Sequence, residues 1–76
     1  MTAKDHTQTI HVQVNGDPME FPAGACCADV LERLGIPEQQ RLAMEVNETI
    51  VPRSQLSQRT LVDGDRVEVI QAIGGG

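Results

Sequence analysis

A chain of 76 residues has room for one domain, and a domain that small buries only about 60% of the surface its unfolded chain exposes. Aromatic residues make up 1% of it, the single Phe21, so the core must be aliphatic, and little chain remains to wall a deep catalytic cleft. Eleven acidic residues against six basic ones give a net charge of −5, which disfavours binding to nucleic-acid phosphates or to an anionic membrane surface.

Residues 1–8 are small and polar and are expected to form a flexible tail. They lack the apolar run of a signal peptide, and no later stretch approaches the length of a membrane span, so a cytoplasmic protein is expected. Ile10, Val12 and Val14 then alternate with His11 and Gln13, the period of a half-buried strand. Asn15-Gly16-Asp17-Pro18 is turn chemistry, and Met19 and Phe21 around Glu20 predict a short antiparallel return strand that ends at Pro22-Ala23-Gly24. Residues 26–34 predict a helix with Cys27, Val30, Leu31 and Leu34 on its buried face, Asp29 favourably near the start, and Gly35 as the C-terminal cap. Its weak point is the start, where Ala25 as N-cap offers no side-chain oxygen.

After Ile36-Pro37 and a polar connection, Leu42, Met44 and Val46 alternate as a third strand. Thr49-Ile50-Val51 is limited to an edge strand or a turn by Pro52, and Leu61-Val62 predicts a very short strand. Asp63-Gly64-Asp65 is a tight turn. The last strand, Arg66 to Ile73, puts Val67 and Val69 on one face and Glu68 and Ile70 on the other. One amphipathic helix among strands predicts an α+β domain over residues 9–73, with a mixed sheet of four to five strands covering the helix. The crossover through that helix is long enough to permit parallel pairing in mid-sheet.

The chain closes on Gly74-Gly75-Gly76. Three glycines end a strand poorly, since each carries maximal backbone entropy, but a tail without Cβ atoms can thread a narrow channel. Extended, residues 74–76 reach about 10 Å and would carry the Gly76 α-carboxylate away from the body. A carboxylate is a poor electrophile until it is activated. Adenylation by ATP followed by attack of a sulfur nucleophile would leave a thiocarboxylate on the end of the tether, with the protein as its handle. The competing reading is an incidental frayed end.

Val46-Asn47-Glu48-Thr49-Ile50-Val51-Pro52-Arg53, together with Leu61 to Ile73, the Asp63-Gly64-Asp65 turn and the terminal glycines, resembles the ThiS family of thiamine-biosynthesis sulfur carriers. The Asn15-Gly16 turn and Pro22-Ala23-Gly24 fit as well, so the similarity covers roughly residues 10–76. The resemblance implies a ubiquitin-like β-grasp fold, related to that of MoaD. It implies that a ThiF-like adenylyltransferase activates Gly76, that a sulfurtransferase or cysteine desulfurase supplies sulfur, and that a ThiG-like thiazole synthase receives it. Gly75 and Gly76 match the family's terminal pair, and Gly74 a position where a small residue is usual. Other pathways served by such carriers, for molybdopterin, an amino acid or a siderophore, remain open at this point, as does a noncovalent interaction module.

Strand alternation turns Ile70 and Ala72, with Ala43 from the neighbouring strand, toward the uncovered sheet face, where they can dock a partner or be ordinary surface. Cys26 and Cys27 are too few and too close together for a zinc or iron–sulfur site, and Cys27 is expected to pack as a small hydrophobe. Pro52 and Arg53 are expected to shape the turn leaving the third strand, and His6 and His11 have no evident role. No nucleophile, base and orienting group can be assembled, so neither catalytic residue, metal nor cofactor is expected in the chain itself.

Overall fold

The computed structural model describes residues 8–37 and 40–71. Residues 1–7 of the expected N-terminal tail, and at the other end Ala72 and Ile73 of the expected last strand with Gly74, Gly75 and Gly76, lie outside the described residues. Five strands and one helix follow in chain order: β1 (Thr9–Val14), β2 (Asp17–Pro22), α1 (Cys27–Leu34), β3 (Leu42–Val46), β4 (Thr49–Val51) and β5 (Arg66–Gln71). The sheet order is β2-β1-β5-β3-β4. The central pair, β1 with β5, is parallel, and every other pair is antiparallel. A mixed five-stranded sheet over one helix is the β-grasp arrangement.

Period-two patterning sorts the strands as expected. Ile10, Val12, Val14, Phe21, Met44, Val46, Val51 and Val67 are buried and form one core with Cys27, Val30 and Leu31 of α1, closed by Leu56 and Leu61. Leu34, expected on the buried helix face, is instead 39% exposed, because α1 ends there and the chain turns away. Gly35 adopts the left-handed conformation, its N–H bonding to the Glu32 carbonyl while the Ile36 N–H reaches that of Leu31. This is the two-bond C-terminal cap, and it leaves Ile36 packed on the core.

The start of α1 corrects the expectation. The helix begins at Cys27, so the N-cap is Cys26 and not Ala25. The Asp29 carboxylate accepts the Cys26 N–H at 2.8 Å, the reciprocal half of a capping box. The segment before β5 supplies the rest: the Cys27 N–H donates to the Arg59 carbonyl and the Ala28 N–H to the Leu56 carbonyl, each at 3.0 Å. Backbone carbonyls from a distant loop thus satisfy donors that a helix start leaves orphaned. The same loop overturns the short strand expected at Leu61-Val62. Only an isolated bridge, Cys26 with Thr60, forms, and the Leu61 N–H donates to the Ala25 carbonyl. Leu61 is there to fill the core.

Two two-residue hairpin turns set the register. Asn15 and Gly16 join β1 to β2, and Asn47 and Glu48 join β3 to β4, all four with positive φ. Glu48, at φ 69°, has neither the missing Cβ of glycine nor the local bonding of asparagine to ease that conformation. Glu48→Gly is therefore expected to raise stability by about 0.5–1 kcal/mol in urea titration, and a loss of stability would contradict the strain.

Candidate functional site

Building from the residues upward, the question is what holds β5, since its far end leads to the terminal glycines. Its entry is fixed by the 63–65 turn. The Gly64 N–H donates to the His11 carbonyl at 2.8 Å, and the Asp63 carboxylate accepts the His11 N–H at 2.7 Å. Asp65 is more than the turn residue expected, being only 6% exposed. Its Oδ1 accepts the Asn47 side-chain amide at 2.9 Å and its Oδ2 the Val62 N–H at 2.8 Å, with the Arg59 guanidinium 4.0 Å away. Asn47 in turn accepts the Arg66 N–H on its Oδ1 at 3.0 Å and donates its own N–H to the Arg66 carbonyl at 2.7 Å. The β3–β4 turn, the 63–65 turn and the start of β5 are one polar network around a buried carboxylate.

The far end of β5 is held differently. β1 pairs with β5 only at Arg66 and Val67, and then turns at Asn15. Asn15 prolongs the ladder, its N–H donating to the Val67 carbonyl and its Oδ1 accepting the Val69 N–H, both at 2.8 Å. Beyond that point Ile70 and Gln71 pair with Ala43 and Leu42 of β3 alone. β5 therefore runs past the β1–β2 turn toward residues 72–76, which lie outside the described residues.

On the open face of the sheet, Ala43 and Ile70 are direct cross-strand partners, and both are exposed, Ile70 by 54%. This places two of the three expected docking residues side by side, while Ala72 lies outside the described residues. Ile50, 65% exposed and opposite Glu45 on the same face, was not among the expected residues. The signal was available in the alternation of Thr49-Ile50-Val51, but only the hairpin register shows which of them faces out.

The remaining candidates separate cleanly. Cys27 is fully buried, and burial pushes its thiol pKa up, with nearby Arg59 opposing, so it packs as a neutral hydrophobe. Cys26 is half-buried at the helix cap. His11 does have partners, its imidazole lying 3.2 Å from Glu20 and 3.6 Å from Asp63 on an exposed surface. Pro52 and Arg53 leave β4 and not β3, opening a 3₁₀ turn at Arg53–Gln55, and the Arg53 guanidinium donates to the Gln40 carbonyl. Among the described residues, no group of three or more His, Cys, Asp or Glu side chains could hold a metal ion, and no helix is long and apolar enough to cross a membrane. Among the described residues, one open groove runs between α1 and the 3₁₀ turn past Leu31, Ile36 and Leu56.

Comparison with known proteins bears on the same features. The family model for the ThiS family matches residues 12–76. The sulfur carrier protein ThiS of Escherichia coli is 34% identical over 67 residues, covering 88% of this chain and 100% of that protein. A thiazole synthase of Paramagnetospirillum magneticum is 36% identical over 63 residues, 83% of this chain but 19% of that protein, and one from Magnetococcus marinus is 32% identical over 65 residues, 20% of its length. The chain thus spans about a fifth of the thiazole synthases it matches. The crystal structure of a thiamine biosynthesis protein (ThiS) from Geobacter metallireducens superposes with a TM-score of 0.72 at 26% identity, covering 88% of this chain and all of that one. By family model, by identity over nearly its whole length and by fold, the chain belongs to the ThiS family.

Proposed function

We propose that this chain is a sulfur carrier whose Gly76 α-carboxylate is converted to a thiocarboxylate that donates sulfur for thiazole formation in thiamine biosynthesis. The observation that carries the reading is the course of β5, held in mid-sheet at its start and paired only by β3 where it passes the β1–β2 turn. Five residues follow Gln71, the last of them Gly76, a span of at most about 18 Å when extended. That is enough to carry a terminal carboxylate into another protein's active site. The family match runs through residue 76, which supports Gly76 as the working end.

The chemistry proceeds in balanced steps. A Gly76 carboxylate oxygen attacks the α-phosphorus of ATP and pyrophosphate leaves. A sulfur nucleophile then attacks the acyl carbon of the adenylate and AMP leaves. If the nucleophile is hydrosulfide, the product is the thiocarboxylate; if it is the persulfide of a donor protein, an acyl disulfide forms, and a second thiol attacks the donor's own sulfur, so that the thiocarboxylate leaves and a disulfide joins that thiol to the donor. None of these steps draws on a side chain of the carrier. A ThiF-like adenylyltransferase, a sulfurtransferase or cysteine desulfurase, and a ThiG-like thiazole synthase do the work, in the cytoplasm. Gly74 and Gly75 thread the partner channel, and Ala43, Ile70 and Ala72 dock the body beside it. The two thiazole synthase relatives favour thiazole formation over molybdopterin, amino-acid or siderophore pathways.

Incubation with ATP, the adenylyltransferase and a sulfur source, followed by intact-mass spectrometry, should show one oxygen replaced by sulfur at Gly76. An unchanged mass with every such enzyme would leave a noncovalent module as the better reading. Ile70→Asp tests the docking face: the side chain is exposed, so the melting profile should barely move, while binding to the adenylyltransferase weakens by at least about tenfold. Unchanged binding discards the patch.

A further inference from the structure

Both ends of β5 are held by the side chain of an asparagine that opens a two-residue turn. Asn47 Oδ1 accepts the Arg66 N–H at 3.0 Å, and Asn15 Oδ1 accepts the Val69 N–H at 2.8 Å. Each asparagine has a φ of 52°. The contact at the far end takes the place of a backbone bond. Along a parallel pair the slanted bonds alternate in direction, so a residue whose N–H donates to the Val67 carbonyl should accept the Val69 N–H on its own carbonyl. Asn15 makes the first of these bonds at 2.8 Å, but the chain turns there, and the second is made by its side-chain oxygen. Val69 packs against the core, and the strand beyond it is paired at Ile70 and Gln71 with Ala43 and Leu42 of β3. Seven residues lead from Val69 to Gly76, so the Asn15 side chain grips β5 on its β1 edge just before the tail begins.

We propose that Asn15 is a positioning residue for the chemistry at Gly76: its side-chain oxygen fixes the direction in which β5 leaves the sheet, and so keeps the terminal carboxylate where a bound activating enzyme can use it. The assignment rests on the sulfur-carrier reading above and adds a residue to it. With Asn15 in place the strand end is held on two edges, by β1 through the side chain and by β3 through the backbone. Without that oxygen it is held on the β3 edge alone and can pivot there. The arm keeps its length, but its free end sweeps a larger volume, and the effective concentration of the carboxylate at a fixed point falls. Ala43 and Ile70 keep their pairing, so the body binds as before. The rate within the complex, rather than the affinity, is the quantity Asn15 controls.

The test compares Asn15→Gly, Asn15→Asp and Asn47→Gly with wild type. Glycine accepts the positive φ of residue 15, so the turn forms without the side chain, and aspartate keeps an acceptor oxygen. Asn47→Gly is the control, since it frees the Arg66 N–H at the opposite end of the same strand. Single-turnover pyrophosphate release, with the adenylating enzyme in excess and ATP saturating, gives the rate in the complex and the enzyme concentration at half that rate. Asn15→Gly should lower the rate about fivefold, the equivalent of one net hydrogen bond, and move half-saturation by less than about twofold. Exchange of the Val69 amide should quicken by a similar factor, while that of Gly64, bonded to the His11 carbonyl, should not change. Asn15→Asp should restore both, and Asn47→Gly should keep the wild-type rate. A wild-type rate in Asn15→Gly overturns the proposal, as does a change in half-saturation alone, which would assign Asn15 to docking. Failure of Asn15→Asp to restore the rate, or an equal loss from Asn47→Gly, overturns it too, by reducing the effect to a looser fold. A wild-type chain that releases no pyrophosphate with any such enzyme counts against the carrier reading instead, and Val69 exchange then still decides whether Asn15 holds the strand end.

Discussion

A chain extended by one residue beyond Gly76 is expected to gain no more than a trace of sulfur under conditions that load the wild type completely. Extension turns the Gly76 carboxylate into an amide carbonyl, which has no oxygen free to attack ATP. The new carboxylate stands one residue further out, about 3.5 Å, and carries a side chain unless the added residue is glycine. Displacements of about 1 Å already reduce rates by about two orders of magnitude where geometry supplies the catalysis. Adding Ala and adding Gly separates the two effects: if width in the channel matters as well as reach, the Gly-extended chain retains the larger trace of activity. The extended chain should bind the adenylyltransferase through the sheet face as before, because Ala43 and Ile70 are untouched. Intact mass and binding together therefore tell loss of chemistry from loss of docking. Full sulfur loading of either extended chain would end the assignment of Gly76.

The largest effect on stability is expected at a residue far from the tail. Asp65→Ala leaves the Asn47 amide and the Val62 N–H without their acceptor in a site where Asp65 itself is buried. Each unsatisfied donor costs about 1–3 kcal/mol, so a loss of about 3 kcal/mol is expected, against a total of about 4–11 kcal/mol for a domain of this length. In thermal melts that is a fall of about 15 °C. Asp65→Asn keeps the shape and one acceptor oxygen but turns an amide toward one of the two donors, so it should fall between. A loss below about 1 kcal/mol for the alanine variant would show that water replaces the carboxylate readily. Because Asn47 also holds both backbone groups of Arg66, the variant should loosen the start of β5 first. Amide exchange at Arg66 and Val67 would report it before global unfolding does.

The route from residues to fold was short where the pattern was local. Alternation placed Val67 and Val69 inward and Ile70 outward, and Gly35 marked the helix end, because period and left-handed conformation are properties of a few consecutive residues. It failed where the deciding partner was distant in the chain. The helix start looked weak because Ala25 and Cys26 offer no side-chain oxygen, yet the Leu56 and Arg59 carbonyls, about thirty residues on, satisfy its donors. Leu61-Val62 looked like a strand because a two-residue apolar run says nothing about whether a neighbour exists to pair with it. Asp65 looked like a turn residue on a par with Asp63, and only packing separates it from exposed Asp63.

By itself, the sequence determined the class of core, the acidic balance, the one helix among strands and the resemblance that made Gly76 the candidate reactive group. All of these are readable from residue type and spacing. Only the tertiary structure decided which strand lies in mid-sheet, that β5 outruns β1 at the Asn15–Gly16 turn, and that Ile50, Glu45, Glu68 and Ile70 share one open face. Those facts depend on register between strands that are distant in sequence. Register is set by the summed burial of a whole strand, and no short stretch of residues carries it.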